Sequence, residues 1–104
     1  MKSLIELIII ETLRNFPEID QAIIFGSRAK KNFKKGSDID IALKGKNVTP
    51  LLALDVAAVL NEKQPIPYFI DVISYAHISN QKLKEHIDRV GISFYFKSDK
   101  QIIV

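Results

Sequence analysis

Cysteine is missing from this 104-residue sequence, and glycine and proline occur only four times each. A chain without cysteine forms neither disulfide bonds nor thiolate zinc sites, so an apolar core has to hold its fold together. Long hydrophobic runs are also missing, because no stretch reaches the roughly 20 apolar residues of a membrane span. Glu6 interrupts the apolar run near the N-terminus, which argues against a secretory signal peptide. These absences predict a cytoplasmic protein that makes no membrane contact.

The charge is nearly balanced, with fifteen Lys and Arg against twelve Asp and Glu and a formal net charge of +3. This mild excess suits a phosphate-bearing ligand but does not by itself indicate nucleic acid, so we expect no direct nucleic-acid contact. Four lysines, Lys30, Lys31, Lys34 and Lys35, fall in one short stretch. They form either a solvated loop or a patch that faces a substrate.

The pattern of apolar residues predicts helices and strands that follow one another along a single domain, residues 1–104. We expect helices at 3–15, 49–61 and 79–90, and strands at 20–25, 38–43, 68–73 and 92–96. Only about twelve residues separate the first two strands, too few for a helical crossover between parallel strands. The expected fold class is therefore α/β (α+β), with a small mixed sheet flanked by helices and the first two strands side by side.

Two aspartates stand out in the second predicted strand. Residues two apart on a strand share a face, so Asp38 and Asp40 project together with their Cα atoms about 6.6 Å apart. Their strand is otherwise apolar, and two bare carboxylates there repel each other unless a divalent cation neutralises them. Oxygen ligands alone favour Mg²⁺ or Mn²⁺. The alternative is an exposed sheet face that carries two solvated aspartates.

Three neighbouring features favour the metal hypothesis. Gly26-Ser27 follows a buried strand, where glycine lets the main chain approach a phosphate and free N–H groups can bind its oxygens. Arg28 carries a guanidinium suited to phosphate. Asp71 lies inside an apolar strand pattern that disfavours aspartate. If its strand lies beside that of Asp40, the carboxylates converge into a site for two cations.

Residues 26–29 (GSRA) followed by residues 37–40 (SDID) resemble the signature of the DNA polymerase β-like nucleotidyltransferase superfamily. More closely, the chain is similar to the minimal nucleotidyltransferase (MNT) group. These are stand-alone domains of about this length, often encoded beside a HEPN-domain toxin. The resemblance covers nearly the whole chain, including the Asp71 strand, and implies the nucleotidyltransferase fold.

The resemblance implies ATP as the substrate and assigns its phosphate contacts. Gly26 and Ser27 would hold the β- and γ-phosphates, Arg28 would assist the triphosphate, and Ser37 belongs to the same nucleotide-binding set. Many members carry a glycine two residues after the alanine of the first motif, whereas this chain has Lys31. Lys31 either adds positive charge over the phosphates or marks a loop with altered nucleotide handling.

The resemblance also implies the catalytic and metal-binding residues. Asp38 and Asp40 would ligate two Mg²⁺ ions, and Asp71 would ligate one of them and help to deprotonate the acceptor hydroxyl. That oxygen would then attack the α-phosphorus, and pyrophosphate would leave. Catalysis of this kind consists of positioning and charge neutralisation.

The resulting hypothesis is a protein adenylyltransferase that acts as a type VII-like antitoxin. It would move AMP from ATP to a hydroxyl of its HEPN toxin partner, a tyrosine, and would assemble as a hetero-oligomer with that partner or as a homodimer. Two alternatives stay open at this point. One is a binding module that neutralises the toxin without catalysis. The other is nucleotidyl transfer to a small molecule bound by a separate helical subunit.

Overall fold

The computed structural model describes residues 3–26 and 38–97. These residues form a four-stranded sheet with α-helices packed on both of its faces. In chain order the elements are α1 Leu4–Leu13, β1 Gln21–Phe25, β2 Ile39–Lys44, α2 Pro50–Glu62, β3 Ile70–Ser74, a 3₁₀ turn Tyr75–His77, α3 Gln81–Val90 and β4 Ile92–Phe96. No helix among the described residues has the length and apolar character needed to cross a membrane.

The strands are arranged in the order β3-β2-β1-β4, which confirms the mixed sheet expected from the sequence. β1 pairs antiparallel with both β2 and β4, so the first two strands are neighbours as expected. β2 and β3 are parallel, and α2 supplies the helical crossover that a parallel pair requires. The sheet therefore places β2 between β1 and β3.

Local sequence signals fix where the helices begin. Ser3, Thr49 and Asn80 each accept a hydrogen bond from the main-chain N–H three residues later, which satisfies one free donor at a helix start. Pro50 then occupies the first turn of α2, where its missing N–H costs nothing. The third strand was predicted at 68–73 but runs from Ile70 to Ser74, because its partner β2 begins only at Ile39.

Successive side chains of β2 point to opposite faces of the sheet. Ile39, Ile41 and Leu43 are buried in the main core, which lies between the sheet and the helices α1 and α2. Ala42 faces the opposite side and joins a smaller apolar cluster with Ile87 of α3. Asp40 has the same parity as Ala42, so its carboxylate lies on the α3 face of the sheet.

Candidate functional site

Asp40 and Asp71 occupy matching positions on neighbouring parallel strands. They are register partners in the pairing of β2 with β3, and adjacent strands lie about 4.8 Å apart. Register partners in a sheet project to the same face, so both carboxylates lie on the α3 face. Asp38 precedes β2 by one residue and is exposed, as is Asp71, whereas Asp40 is half-buried. The condition set by the sequence, that the Asp71 strand lies beside the Asp40 strand, is confirmed.

Burial and the two neighbouring carboxylates set the electrostatics of Asp40 among the described residues. Burial raises the pKa of the Asp40 carboxyl above its ordinary value, and the charges of Asp71 and then Asp38 raise it further. Both other carboxylates thus lie within electrostatic reach of Asp40. The arrangement favours a ligand that brings positive charge to this end of β2.

Gly26 lies next to Asp40 on the β1 side, opposite to Asp71 on the β3 side. It follows β1 directly, adopts a positive φ of 82°, and lies beside the Phe25–Asp40 pair of the antiparallel ladder. A β-carbon built on Gly26 would lie 2.6 Å from Oδ2 of Asp40, closer than any side chain tolerates. The left-handed backbone therefore favours glycine here, and a β-carbon would displace the Asp40 carboxylate from its position.

Several residues assigned from the sequence lie outside the described residues. These are Ser27, Arg28 and Ser37 of the expected nucleotide-binding set, together with the lysine cluster at 30–35. Their roles stay predictions. Of the expected site, the structure brings together Gly26, Asp40 and Asp71, with Asp38 within electrostatic reach.

The donor set at this site fits a hard divalent cation. It consists of carboxylate oxygens alone, the ligands that Mg²⁺ and Mn²⁺ prefer, and the raised pKa of Asp40 records a charge that such a cation would neutralise. Within residues 3–26 and 38–97, no three His, Asp or Glu side chains lie close enough together to hold a metal ion by themselves. Mg²⁺ in proteins commonly takes only one or two carboxylates and completes its coordination with substrate phosphates and water.

A family model decides the class of the chain. The model described as Polymerase beta, Nucleotidyltransferase matches residues 8–100. This chain belongs to that nucleotidyltransferase family. The resemblance inferred from the GSRA and SDID motifs is thereby confirmed, and the family supports nucleotidyltransferase activity for the domain. No curated protein matches the sequence.

Solved structures share the fold of this nucleotidyltransferase at low identity. A toxin–antitoxin crystal structure with AMP-PNP superposes with a TM-score of 0.74 at 21% identity, covering 93% of this chain and 78% of the other. The toxin–antitoxin MntA–HepT gives 0.69 at 20% identity, covering 98% and 79%. A nucleotidyltransferase structure from Sulfolobus solfataricus gives 0.53 at 21% identity, covering 89% and 78%. At these identities the likeness establishes the fold.

A groove of about 520 Å³ adjoins the carboxylates of the nucleotidyltransferase. It lies between the start of α2, the strand β3 and the start of α3, and Asp71 belongs to its lining. Most of the other lining side chains are apolar, among them Pro50, Ala53, Leu54, Ile73, Ile78 and Leu83. The groove could not be predicted from the sequence, because its walls come from three elements that meet only in the folded chain.

His77 is a groove residue that the sequence reasoning missed. The sequence does not single it out, because no acidic residue lies at a metal-ligand spacing from it. In the structure its Nδ1 lies 2.9 Å from the hydroxyl oxygen of Ser74, which in turn donates to the carbonyl of Val48 at 3.1 Å. Ser74 and His77 both line the groove. The only available signal was a serine three residues before the histidine at the end of a strand.

Proposed function

We propose that this nucleotidyltransferase moves AMP from ATP to a tyrosine hydroxyl of a HEPN-type toxin partner, with Mg²⁺ at its carboxylates, and so acts as the antitoxin of a pair. The observation that supports the proposal is the register of Asp40 with Asp71, which brings a half-buried carboxylate beside an exposed one on the same face of the sheet. The fold shared with toxin–antitoxin structures, one of them with AMP-PNP, supports the choice of partner and nucleotide.

In this proposal the three carboxylates have different roles. Asp38 and Asp40 would hold the metal ions, and Asp71 would share one of them. Bound Mg²⁺ would neutralise phosphate charge and strengthen the electrophilic character of the α-phosphorus. Gly26 leaves room for the Asp40 carboxylate while its main chain runs close beside it. In the same proposal, Ser27, Arg28 and Ser37 bind the triphosphate.

Transfer of AMP to the acceptor involves one proton transfer, one bond formed and one bond broken. The acceptor hydroxyl gives its proton to Asp71, whose exposed carboxylate can pass it to water. The acceptor oxygen forms a bond to the α-phosphorus, and the bond from that phosphorus to the bridging oxygen of pyrophosphate breaks. The products are AMP joined to the acceptor and free pyrophosphate.

The test is incubation of the chain with ATP labelled at the α-phosphate, Mg²⁺ and the protein encoded next to it. We expect label on the partner, and Asp71→Asn should reduce its rate of appearance at least a hundredfold, within the usual effect of removing a general base. Asp55→Asn, which removes an exposed carboxylate on α2, is the matched control and should label at the wild-type rate.

The proposal would be contradicted if the chain suppressed the toxicity of its partner without transferring AMP to it. If Asp40→Asn and Asp71→Asn both suppress the toxicity of the partner as fully as the wild type does, and no label transfers, the chain acts by contact alone. Label on an added aminoglycoside in place of the partner would instead indicate a small-molecule acceptor.

A further inference from the structure

We propose that Asn61 is a positioning residue for Asp71, because it binds the main chain at the start of β3 and so holds the Asp71 carboxylate in place. This inference rests on the proposed function, in which Asp71 receives the proton of the acceptor hydroxyl. Asn61 lies near the end of α2, the helix that precedes β3. Its side-chain hydrogen bonds go to Ile70 and not to the carboxylates, so it acts on Asp71 through the neighbouring residue.

Ile70 turns both of its main-chain groups towards Asn61. Its N–H donates to Oδ1 of the Asn61 amide at 2.7 Å, and its carbonyl accepts from Nδ2 at 2.8 Å. β3 is an edge strand, so its outer main-chain groups have no neighbouring strand to bind. The Asn61 amide therefore replaces a neighbouring strand at this residue, which is fully buried.

The residues on either side of Ile70 turn their main-chain groups the other way, towards β2. The carbonyl of Phe69 accepts from the N–H of Ile39 at 2.9 Å. Successive residues of a strand turn these groups to opposite sides, so those of Asp71 face β2 as well. The segment that carries Asp71 is thus bonded to β2 on one side and to α2 on the other. Removing the Asn61 amide leaves only the β2 side.

The Asp71 carboxylate depends on this main-chain anchor for its position. The side chain is exposed, and it forms no hydrogen bond or ion pair with another residue of the ranges 3–26 and 38–97. Asp40 differs, because β2 has a strand on each side. The edge carboxylate is therefore the one whose distance from its partner changes when an anchor outside the sheet is lost.

The transfer step is sensitive to such a change, since a displacement of about 1 Å in a reacting group costs up to about a hundredfold in rate. We expect Asn61→Ala to lower kcat for labelling of the partner by about tenfold to a hundredfold. KM for ATP should stay within about twofold of the wild type, because other residues hold the triphosphate in the proposed function. A rise in KM for ATP with kcat unchanged would overturn the proposal.

A double-mutant cycle tests whether Asn61 acts through Asp71. The assay follows label from the α-phosphate of ATP to the partner protein for the wild type, Asn61→Ala, Asp71→Asn and the double variant. Once Asp71→Asn has removed the proton acceptor, adding Asn61→Ala should cause no further loss of kcat. Losses that multiply in the double variant would show that Asn61 acts by another route, which would overturn the proposal.

Thr49→Ala is the matched control for a general weakening of α2. Thr49 caps the opposite end of that helix by accepting from the N–H of Leu52, so its loss weakens α2 at a distance from Asn61. The control should keep the wild-type kcat, and an equal loss of kcat in both variants would refute a positioning role. If Asn61→Ala does not fold, Asn61→Asp decides, since it keeps the acceptor for the Ile70 N–H and loses the donor to its carbonyl. It should lower kcat about threefold, and a wild-type kcat would overturn the proposal.

Hydrogen exchange separates failure of this inference from failure of the proposed function. In the protein without substrate, Asn61→Ala should speed exchange at the main-chain N–H of Asp71 at least tenfold, and Thr49→Ala should not. If the wild type and Asn61→Ala label the partner with the same kcat, the proposed function stands and Asn61 has no positioning role. If the wild type transfers no label, the proposed function fails, and the exchange rate at Asp71 alone decides whether Asn61 holds this carboxylate in place.

Discussion

A β-carbon on residue 26 and the Oδ2 atom of Asp40 would compete for the same space, because only 2.6 Å would separate them. The contact couples the end of β1 to the carboxylate at the centre of the site. It also explains why a glycine with positive φ stands at that position and not a residue with a side chain. The Asp40 carboxylate therefore occupies space that a side chain at position 26 would take.

Gly26→Ala should destabilise the protein by about 1–2 kcal/mol, the usual cost of a left-handed backbone for a residue with a β-carbon. The obstructing atom is the end of a side chain, so the Asp40 carboxylate should turn aside and the affinity for Mn²⁺ should fall. Urea unfolding and Mn²⁺ titration measure the two effects. In an Asp40→Ala background the same substitution should cost less, since only the backbone strain remains, and an equal cost in both backgrounds would refute the coupling.

Asp40→Asn should raise the melting temperature of the metal-free protein at pH 7 by a few degrees. The pKa of Asp40 is higher in the folded chain than in the unfolded chain, so between those two values the folded state binds more protons and stability falls as the pH rises. Removing the charge removes this penalty. Calorimetry across a pH series should show the gain shrinking as acid protonates the wild-type carboxyl, and a lower melting temperature for the variant at pH 7 would contradict the argument.

Mg²⁺ together with a non-hydrolysable ATP analogue should stabilise the wild type, since a ligand that binds only the folded state shifts unfolding by mass action. Asp38→Asn should lose most of that thermal shift, and Asp55→Asn, an exposed α2 carboxylate, should keep it. The measurement is a thermal-shift titration in metal at fixed nucleotide. Identical shifts for both variants would remove Asp38 from the metal site.

Asn61→Ala should destabilise the protein by about 1–3 kcal/mol, the cost of leaving buried main-chain groups unpaired. The Asn61 amide accepts from the N–H of Ile70 at 2.7 Å and donates to its carbonyl at 2.8 Å. Ile70 is fully buried, so water cannot replace these bonds. Asn47→Ala, at an exposed turn, serves as the control for urea unfolding. If Asn61→Ala lowers the free energy of unfolding no more than this control does, the two hydrogen bonds to Ile70 do not stabilise the protein.

Local signals in the sequence account for most of the fold. Thr49 and Asn80 accept the capping hydrogen bonds at the starts of α2 and α3, and β4 occupies the residues its apolar pattern indicated. The adjacency of Asp40 and Asp71 could be stated only as a condition, because strand order depends on contacts between distant parts of the chain. The groove and the Ser74–His77 contact escaped prediction for the same reason, since periodicity does not report which elements meet.

The position of β1 has a consequence for synthesis of the chain. β1 is made early, yet its second partner is β4, about 70 residues later, and the closing contacts include the bond from the N–H of Lys97 to the carbonyl of Asp20. Contacts so distant in sequence form late in folding. While the ribosome is still extending the chain, one edge of an apolar strand stays open to other nascent chains and to chaperones. The interval before β4 emerges is therefore when the protein is most vulnerable to aggregation.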